Sequence, residues 1–270
     1  MPGVFTVQRL ALEGQRRHLH ATVQPHTSYL FLHSPEPPIS FPPRLSTPLF
    51  RALQLRAARE WGGLVNFVWY PPLTSGVGAR LEEKYHATLF SSKVGRMELG
   101  EVGMGDIDRV VALARTFSLG EPSSPAAPCP AGAEKEVHLY VCTHQARDCR
   151  CGDQGRRVVD ALLDELGSNK RKTEMEQIGV VVKVGETGHV GGHQYAANLL
   201  VYPYGEWFGH IGPAHVPSVL DGIIRAIQEK PFAPLGTTSS PLMLAEHWRG
   251  RMGLSKEQQE ALVDSWRSHP

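Results

Sequence analysis

The stretch Glu136-Val-His-Leu-Tyr-Val-Cys142-Thr-His-Gln-Ala-Arg-Asp-Cys-Arg-Cys151-Gly152 decides how the chain is read. Its first seven residues alternate, with Val137, Leu139 and Val141 on one face and His138 and Tyr140 on the other, which predicts a strand. A loop is expected to run on to Gly155. Arg156 to Leu166 then reads as a helix, apolar at Val158, Val159, Leu162, Leu163 and Leu166. Ile178 to Val184 is rich in β-branched residues and reads as a second strand. A loop holding Gly185, Gly188, Gly191 and Gly192 follows. Asn198 to Tyr202 and Glu206 to Ile211 read as two further strands turned by Pro203-Tyr204-Gly205, and Val216 to Glu229 as a helix behind Pro213.

Strand, helix, strand, strand, strand, helix is the order of a thioredoxin-like domain, so residues 135–270 are expected to be α/β with that architecture. A smaller α/β domain is expected over residues 28–119. There Ser28 to His33 and Leu64 to Tyr70 read as strands. Ser46-Thr47-Pro48 opens a helix that carries Leu49, Leu53 and Ala57 and stops near Gly62-Gly63. Asp106 to Phe117 reads as a second helix with Ile107, Val110, Val111 and Ala114 inward. Residues 120–134 are rich in Pro, Ser, Ala and Gly and read as a linker. No internal repeat is visible. The first 35 residues hold Arg9, Arg16 and Arg17 but only one acid, Glu13. Residues 1–27 therefore read as a possible mitochondrial targeting segment, with a cytoplasmic location as the alternative.

Hydrophobic residues make up 41% of the 270 and charged residues 20%, as in an ordinary globular chain. Lys and Arg number 28 against 27 for Asp and Glu, a net charge of +1. No global field attracts nucleic acid or an anionic membrane. No apolar run approaches the roughly 18 residues of a membrane span. Four cysteines are too few for a disulfide scaffold at this length. Three of them, Cys142, Cys149 and Cys151, crowd together, which points to metal or redox chemistry. Cys129 has no assigned role.

Cys142 ends the first strand of this half, and eight residues separate it from Cys151. Arg147, Arg150, Arg156 and Arg157 surround the second thiol, and positive charge favours the thiolate that binds metal. His189-Val-Gly-Gly-His193 places two imidazoles four residues apart in a loop whose glycines permit φ > 0. Neutral imidazole is a ligand for iron, zinc or copper. Taken together, Cys142, Cys151, His189 and His193 are candidate metal ligands at strand ends of one small domain. Taken alone, the histidine pair reads more readily as a hydrogen-bonding or surface feature, and the cysteine pair as a buried thiol or a disulfide.

Arg147-Asp-Cys-Arg-Cys-Gly152 behind Cys142, Gly188-His-Val-Gly-Gly-His193, and Trp248-Arg-Gly-Arg-Met-Gly253 together resemble the sucrase/ferredoxin-like family, most of all a fungal member of it. The segment Ser28 to Trp69 shares the likeness. The resemblance implies a thioredoxin-like ferredoxin domain whose [2Fe–2S] cluster is held by Cys142, Cys151, His189 and His193. It implies an electron-transfer protein that draws on a separate reductase, since no Gly-x-Gly-x-x-Gly loop for a nicotinamide or flavin is present. Cys149 departs from the family pattern by filling its variable position with a thiol. The name sucrase carries no activity here, because no carboxylate pair suited to glycoside hydrolysis stands out. Asp148 and Glu186 read better as loop residues.

Arg147, Arg150, Arg251 and Trp248 are expected beside the cofactor, the arginines as donors to sulfur and the indole as a cover. His144 and His210 are spare imidazoles with structural roles. Two other functions compete. One is a structural zinc site on the same four ligands, disfavoured by the long Cys142 to Cys151 spacing. The other is a thiol-disulfide oxidoreductase using Cys149 and Cys151, which would leave both loop histidines without a purpose.

Overall fold

The chain builds the same strand order twice. The computed structural model describes residues 19–71, 83–120 and 135–268. Its first half runs β1 (Ser28–His33), α1 (Pro48–Arg56), β2 (Gly63–Trp69), β3 (Lys84–Ser91), β4 (Gly95–Gly103) and α2 (Ile107–Leu119). Its second half runs β5 (Lys135–Cys142), α3 (Cys149–Gly167), α4 (Asn169–Gln177), β6 (Val180–Thr187), β7 (Leu199–Tyr202), β8 (Glu206–Phe208) and α5 (Val216–Glu229). β9 (Trp248–Arg251) and α6 (Lys256–Arg267) complete it. All nine strands form one mixed sheet in the order β4-β3-β1-β2-β6-β5-β7-β8-β9.

Within each half the first two strands are parallel and the next two antiparallel: β1 with β2, then β3 and β4; β5 with β6, then β7 and β8. The thioredoxin-like order expected of the C-terminal half is therefore present there, and the N-terminal half repeats it. The halves join where β2 and β6 pair antiparallel at Val68–Thr187 and Trp69–Glu186. Sheet order depends on which faces are apolar rather than on residue identity, so the duplication leaves no repeat in the sequence.

The sheet bends over on itself. Phe90 on β3 and Tyr202 on β7 stack with ring centroids 4.3 Å apart, although four strands separate β3 from β7. In a flat sheet they would stand roughly 24 Å apart. The bend brings the inner faces of both halves together around Tyr29, Phe31, Phe90, Tyr140, Tyr202 and Trp207. Helices cover only the outer faces. Leu30, Leu32, Phe67 and Leu89 pack under α1 and α2, and Val137, Leu139 and Val141 under α3 and α5. Hence β5 alternates as expected, yet both of its faces are buried and its polar positions need partners. His138 has three: its Nε2 accepts from Arg96 at 3.0 Å, and Nδ1–H is left to face the hydroxyls of Tyr70 at 3.0 Å and Tyr140 at 3.1 Å.

Several local expectations hold. Thr47 Oγ1 accepts from Phe50 N at 3.2 Å and Pro48 follows it, opening α1. The helix finishes in a π-type turn closed by Gly62 at φ 65°. Three expectations shift. α3 begins at Cys149, seven residues before Arg156, because Asp148 caps it by accepting from Arg150 N at 3.0 Å. β8 stops at Phe208 rather than Ile211. Residues 19–27 belong to the fold, with Leu19, Ala21 and Val23 buried and Thr22 N donating to Arg249 O at 2.9 Å. Residues 1–18 and 121–134, which hold the rest of the targeting reading, most of the linker and Cys129, lie outside the described residues. Among the described residues no helix is long and apolar enough to cross a membrane.

Candidate metal centre

The site forms where α3 meets the end of β5. A Cβ on Gly155 would stand 2.2 Å from the carbonyl oxygen of Cys142, so only glycine lets the helix come this close. That approach seats Cys151, in the first turn of α3, against Cys142. Both are fully buried. Their sulfurs and one ring nitrogen of His189 all lie within 4.8 Å of one another. The Nδ1 of His189 is buried and has no hydrogen-bond partner of good geometry. Two thiols and an imidazole with an unsatisfied nitrogen form a donor set for a thiophilic metal.

The two thiols do not ionise alike. Cys142 is held well below the ordinary thiol range by the hydrogen bond from Cys151, then by the His189 ring and the backbone amides of Val190 and His144. Burial acts in the opposite sense. Cys151 is pushed up, first by its bond to Cys142 and then by burial. The pair thus holds one thiolate easily, and a bound cation is what releases the second proton.

The N-terminal half positions the histidine loop. Gly188 N and Thr187 Oγ1 both donate to the carbonyl of Phe67 on β2, at 3.1 and 2.8 Å. Asn66 Nδ2 donates to the carbonyls of Gly188 and His189, at 3.3 and 3.4 Å. A Cβ on Gly188 would stand 2.5 Å from Asn66 Oδ1. His144 bridges the halves: its Nδ1 accepts from His189 N at 3.3 Å and its Nε2–H donates to Pro42 O at 2.9 Å. These bonds fix both its tautomer and the backbone of His189.

His193 opens the short 3-10 turn His193–Tyr195. Its ring lies 5.7 Å from that of His189, with 29° between the planes. It stays 47% exposed, with Nε2 3.9 Å from Asp148 Oδ2. The structure therefore brings three of the four candidate ligands together and holds the fourth one ring away. Gly191 and Gly192, between the histidines, do adopt positive φ, 81° and 68°.

A family model described as sucrase/ferredoxin-like matches residues 22–250. The chain belongs to the sucrase/ferredoxin-like family. It is 32% identical over 109 residues to Actin patches distal protein 1 of Saccharomyces cerevisiae, covering 38% of this chain and 33% of that protein. It is 35% identical over 93 residues to Altered inheritance of mitochondria protein 32 of Meyerozyma guilliermondii, covering 32% of this chain and 29% of that protein. The matched stretches thus span about a third of these relatives' length, and their names point to two different cellular settings. A thioredoxin-like [2Fe–2S] ferredoxin from Aquifex aeolicus superposes with a TM-score of 0.26 at 18% identity, over 35% of this chain and 84% of its own. A superposition of that quality does not bear on function.

In this family member the Trp-Arg-Gly-Arg segment contributes a different arginine from the one expected. Arg251 lies in the C-terminal core, paired with Glu206 and donating to the carbonyls of Gly236 and Ser239 at 2.7 and 2.8 Å. Trp248 packs edge-on against Trp266, 5.0 Å between centroids, in the core beneath α6. Among the described residues, the hydrogen bonds and ring contacts of these two side chains lie within that core and away from the cysteines and the histidine loop. Arg249 does reach the loop. It is buried, donates to Gly191 O at 3.2 Å and Asn198 Oδ1 at 2.7 Å, and lies over the Tyr195 ring at 4.9 Å. Burial lowers its pKa to about 10, still charged at neutral pH, and the thiols of Cys142 and Cys151 act on it in the raising direction. No carboxylate touches it among the described residues.

Arg150 is tied to Asp148 at 2.9 Å at the exposed start of α3, and that contact holds the Asp148 carboxyl down at about 2. Arg147 is exposed and acts on His144. Glu186 is buried beneath the loop, accepting from Thr143 Oγ1 at 2.8 Å and Arg156 Nη1 at 2.7 Å. Cys149 is exposed whereas Cys151 is buried. Two positions apart on a helix, they point to opposite sides and do not face each other.

Asn66, Asn198 and Arg249 escaped the sequence reading. A lone amide inside the apolar run Leu64 to Tyr70 was the available signal for Asn66, because a polar residue in a buried strand needs a reason. For Asn198, at the edge of its expected strand, the signal was weaker. For Arg249 there was none that separates it from Arg251.

Proposed function

We propose that this chain holds a [2Fe–2S] cluster on Cys142, Cys151, His189 and His193 and moves single electrons. The observation that carries the reading is the convergence of two buried thiols with a ring nitrogen of His189, a ring whose Nδ1 is buried without a hydrogen-bond partner. The position of His193 supports two irons over one ion. Donors to a single tetrahedral zinc stand roughly 3.3–3.8 Å apart. His193 lies outside even the 4.8 Å group. A binuclear cluster is longer, so its fourth ligand need not converge on the point that the other three share.

When bound, the cluster supplies one-electron chemistry at a potential set by its ligands. Two neutral imidazoles in place of two thiolates remove two negative charges, and Rieske centres with such ligands lie at about −150 to +300 mV against about −400 mV for plant-type ferredoxins. The chain's own residues adjust this further. Arg249 places a positive charge against the loop between the two histidines. Asn66 and His144 hold the His189 backbone. The exposed edge of His193 lets a proton exchange with water, so the potential falls as pH rises. A potential that stays flat from neutral to alkaline pH contradicts that coupling.

The partner in this reading is a separate reductase. A mitochondrial setting is supported by the naming of one group of relatives and by the acid-poor N-terminus. Cell fractionation distinguishes it from the cytoplasm. The second reading is an open zinc site on Cys142, Cys151 and His189, favoured by the three-donor group alone. Anaerobic purification with iron, sulfide and zinc assays separates the two: the cluster protein is coloured and paramagnetic when reduced, the zinc protein neither.

A further inference from the structure

Beside His189 a groove of about 380 Å³ opens between the halves. Phe41, Phe50 and Phe67 form its apolar wall, and His144 and His189 lie along it. The rings already pack on one another: Phe50 stacks on Phe67 at 5.2 Å, and Phe41 stands edge-on to Phe67 at 5.9 Å and to His144 at 5.7 Å. Arg44 and Arg147 also line the groove, one from each half. Both are exposed, and among the described residues neither has an acidic partner.

We propose that this groove binds a planar aromatic anion that carries electrons, a ring bearing sulfonate, carboxylate or phosphate, its charge on Arg44 and Arg147 and its edge against His189. The aromatic wall offers stacking faces for the ring. Two unpaired guanidiniums offer an anion forked hydrogen bonds. The volume lies in the range of small-molecule sites. Electron exchange is the part that rests on the cluster reading. With a cluster held there, one electron would pass from its reduced form by way of the His189 ring to the bound ring, giving that ring's one-electron-reduced radical. No bond forms or breaks, and the centre returns to its oxidised state.

The test uses the full chain and anthraquinone-2,6-disulfonate as the probe, with neutral 2-(hydroxymethyl)anthraquinone beside it. Binding is measured by calorimetry, and amide shifts are mapped on the unmodified protein. Iron and sulfide content are assayed on the same samples. The proposal expects shifts confined to residues 41–54, 66–67, 144–147 and 188–189. It also expects binding that weakens with salt, and a loss of about tenfold or more in Kd on R44E/R147E, whose fold is checked by circular dichroism. R267E, on the far helix, should leave Kd unchanged. Where the double variant does not fold, the salt dependence and the shift map of the unmodified chain decide. Absence of binding, shifts elsewhere, or an unchanged Kd in the folded double variant overturns the proposal. Groove binding in a chain that never takes up iron leaves the site standing and sinks the cluster reading alone. In loaded protein, electron transfer from the reduced centre to the disulfonate should slow in step with the loss of binding.

Discussion

Arg249 Nη1 donates to Asn198 Oδ1 at 2.7 Å, and Asn198 Nδ2 donates onward to the carbonyl of Gly192 at 3.1 Å. Through this relay β9, near the C-terminus, grips the loop between the two histidines. A guanidinium this deeply buried normally has a carboxylate beside it. Here no carboxylate touches it among the described residues; it lies over the Tyr195 ring and against the histidine loop, so a negatively charged centre held by that loop would be its nearest strong counter-charge.

Replacing Arg249 by Gln should therefore lower the reduction potential of the loaded protein. Removing one positive charge from a partly shielded site is worth roughly 50 mV or more. Arg249→Lys keeps the charge but not the fork, and should shift the potential less while loosening the loop. Protein-film voltammetry on the three proteins checks this. An unchanged potential in Arg249→Gln shows that the charge does not reach the centre.

Asn66→Ala leaves two buried carbonyls, those of Gly188 and His189, without their donor. The expected cost is about 1–3 kcal/mol of stability. Metal loading should fall as well, because the His189 backbone is released. Denaturant midpoints and metal-to-protein ratios read the two effects separately.

Two glycines in α3 make a matched comparison. Gly155→Ala drives a Cβ to 2.2 Å from a backbone oxygen, whereas Gly152→Ala meets only the side chain of exposed Gln145, at 2.5 Å. Gly155→Ala should cost about 1–3 kcal/mol and separate the two cysteines. Gly152→Ala should cost less, because its nearest neighbour is the Cβ of Gln145, and the exposed turn that carries it must shift, not the buried end of β5. Thermal melts and absorption spectra of both variants test the ranking.

The buried histidines set a stability slope with pH. Burial depresses His138 to about 3 and His26 to about 4, from an ordinary value of 6.5. Both are neutral in the folded chain and protonate in the unfolded chain below pH 6.5. Their contribution is complete above that pH and is lost as pH falls toward the folded values, at roughly 3 kcal/mol per pH unit for the two together. Urea midpoints of metal-free protein between pH 7 and pH 5 should fall accordingly, and less steeply in His138→Gln.

Much of this was legible in the sequence. The alternation of β5 and the helix over Val216 to Glu229 emerge as expected, because local periodicity alone determines them. The start of α3 was hidden. Gly152 and Gly155 argue against a helix on propensity, and only the packing of Gly155 on Cys142 explains their presence there. The β3–β4 hairpin lacks a compact turn signal, and the doubled sheet order is a long-range property. Among the arginines, no local feature separates Arg249 from Arg251 on a four-residue strand interrupted by Gly250. Which one reaches the loop depends on Asn198 and Gly191, some 50 residues away in the chain.

The central claim is that two sulfurs and two imidazole nitrogens share one pair of irons. Pulsed paramagnetic resonance of the anaerobically purified, reduced protein tests it most directly, through the nitrogen couplings of the cluster. The account predicts two strongly coupled nitrogens, one lost in His189→Ala and the other in His193→Ala, with Cys149→Ser unchanged. A spectrum with no strongly coupled nitrogen, or a colourless protein holding zinc in place of iron and sulfide, contradicts it.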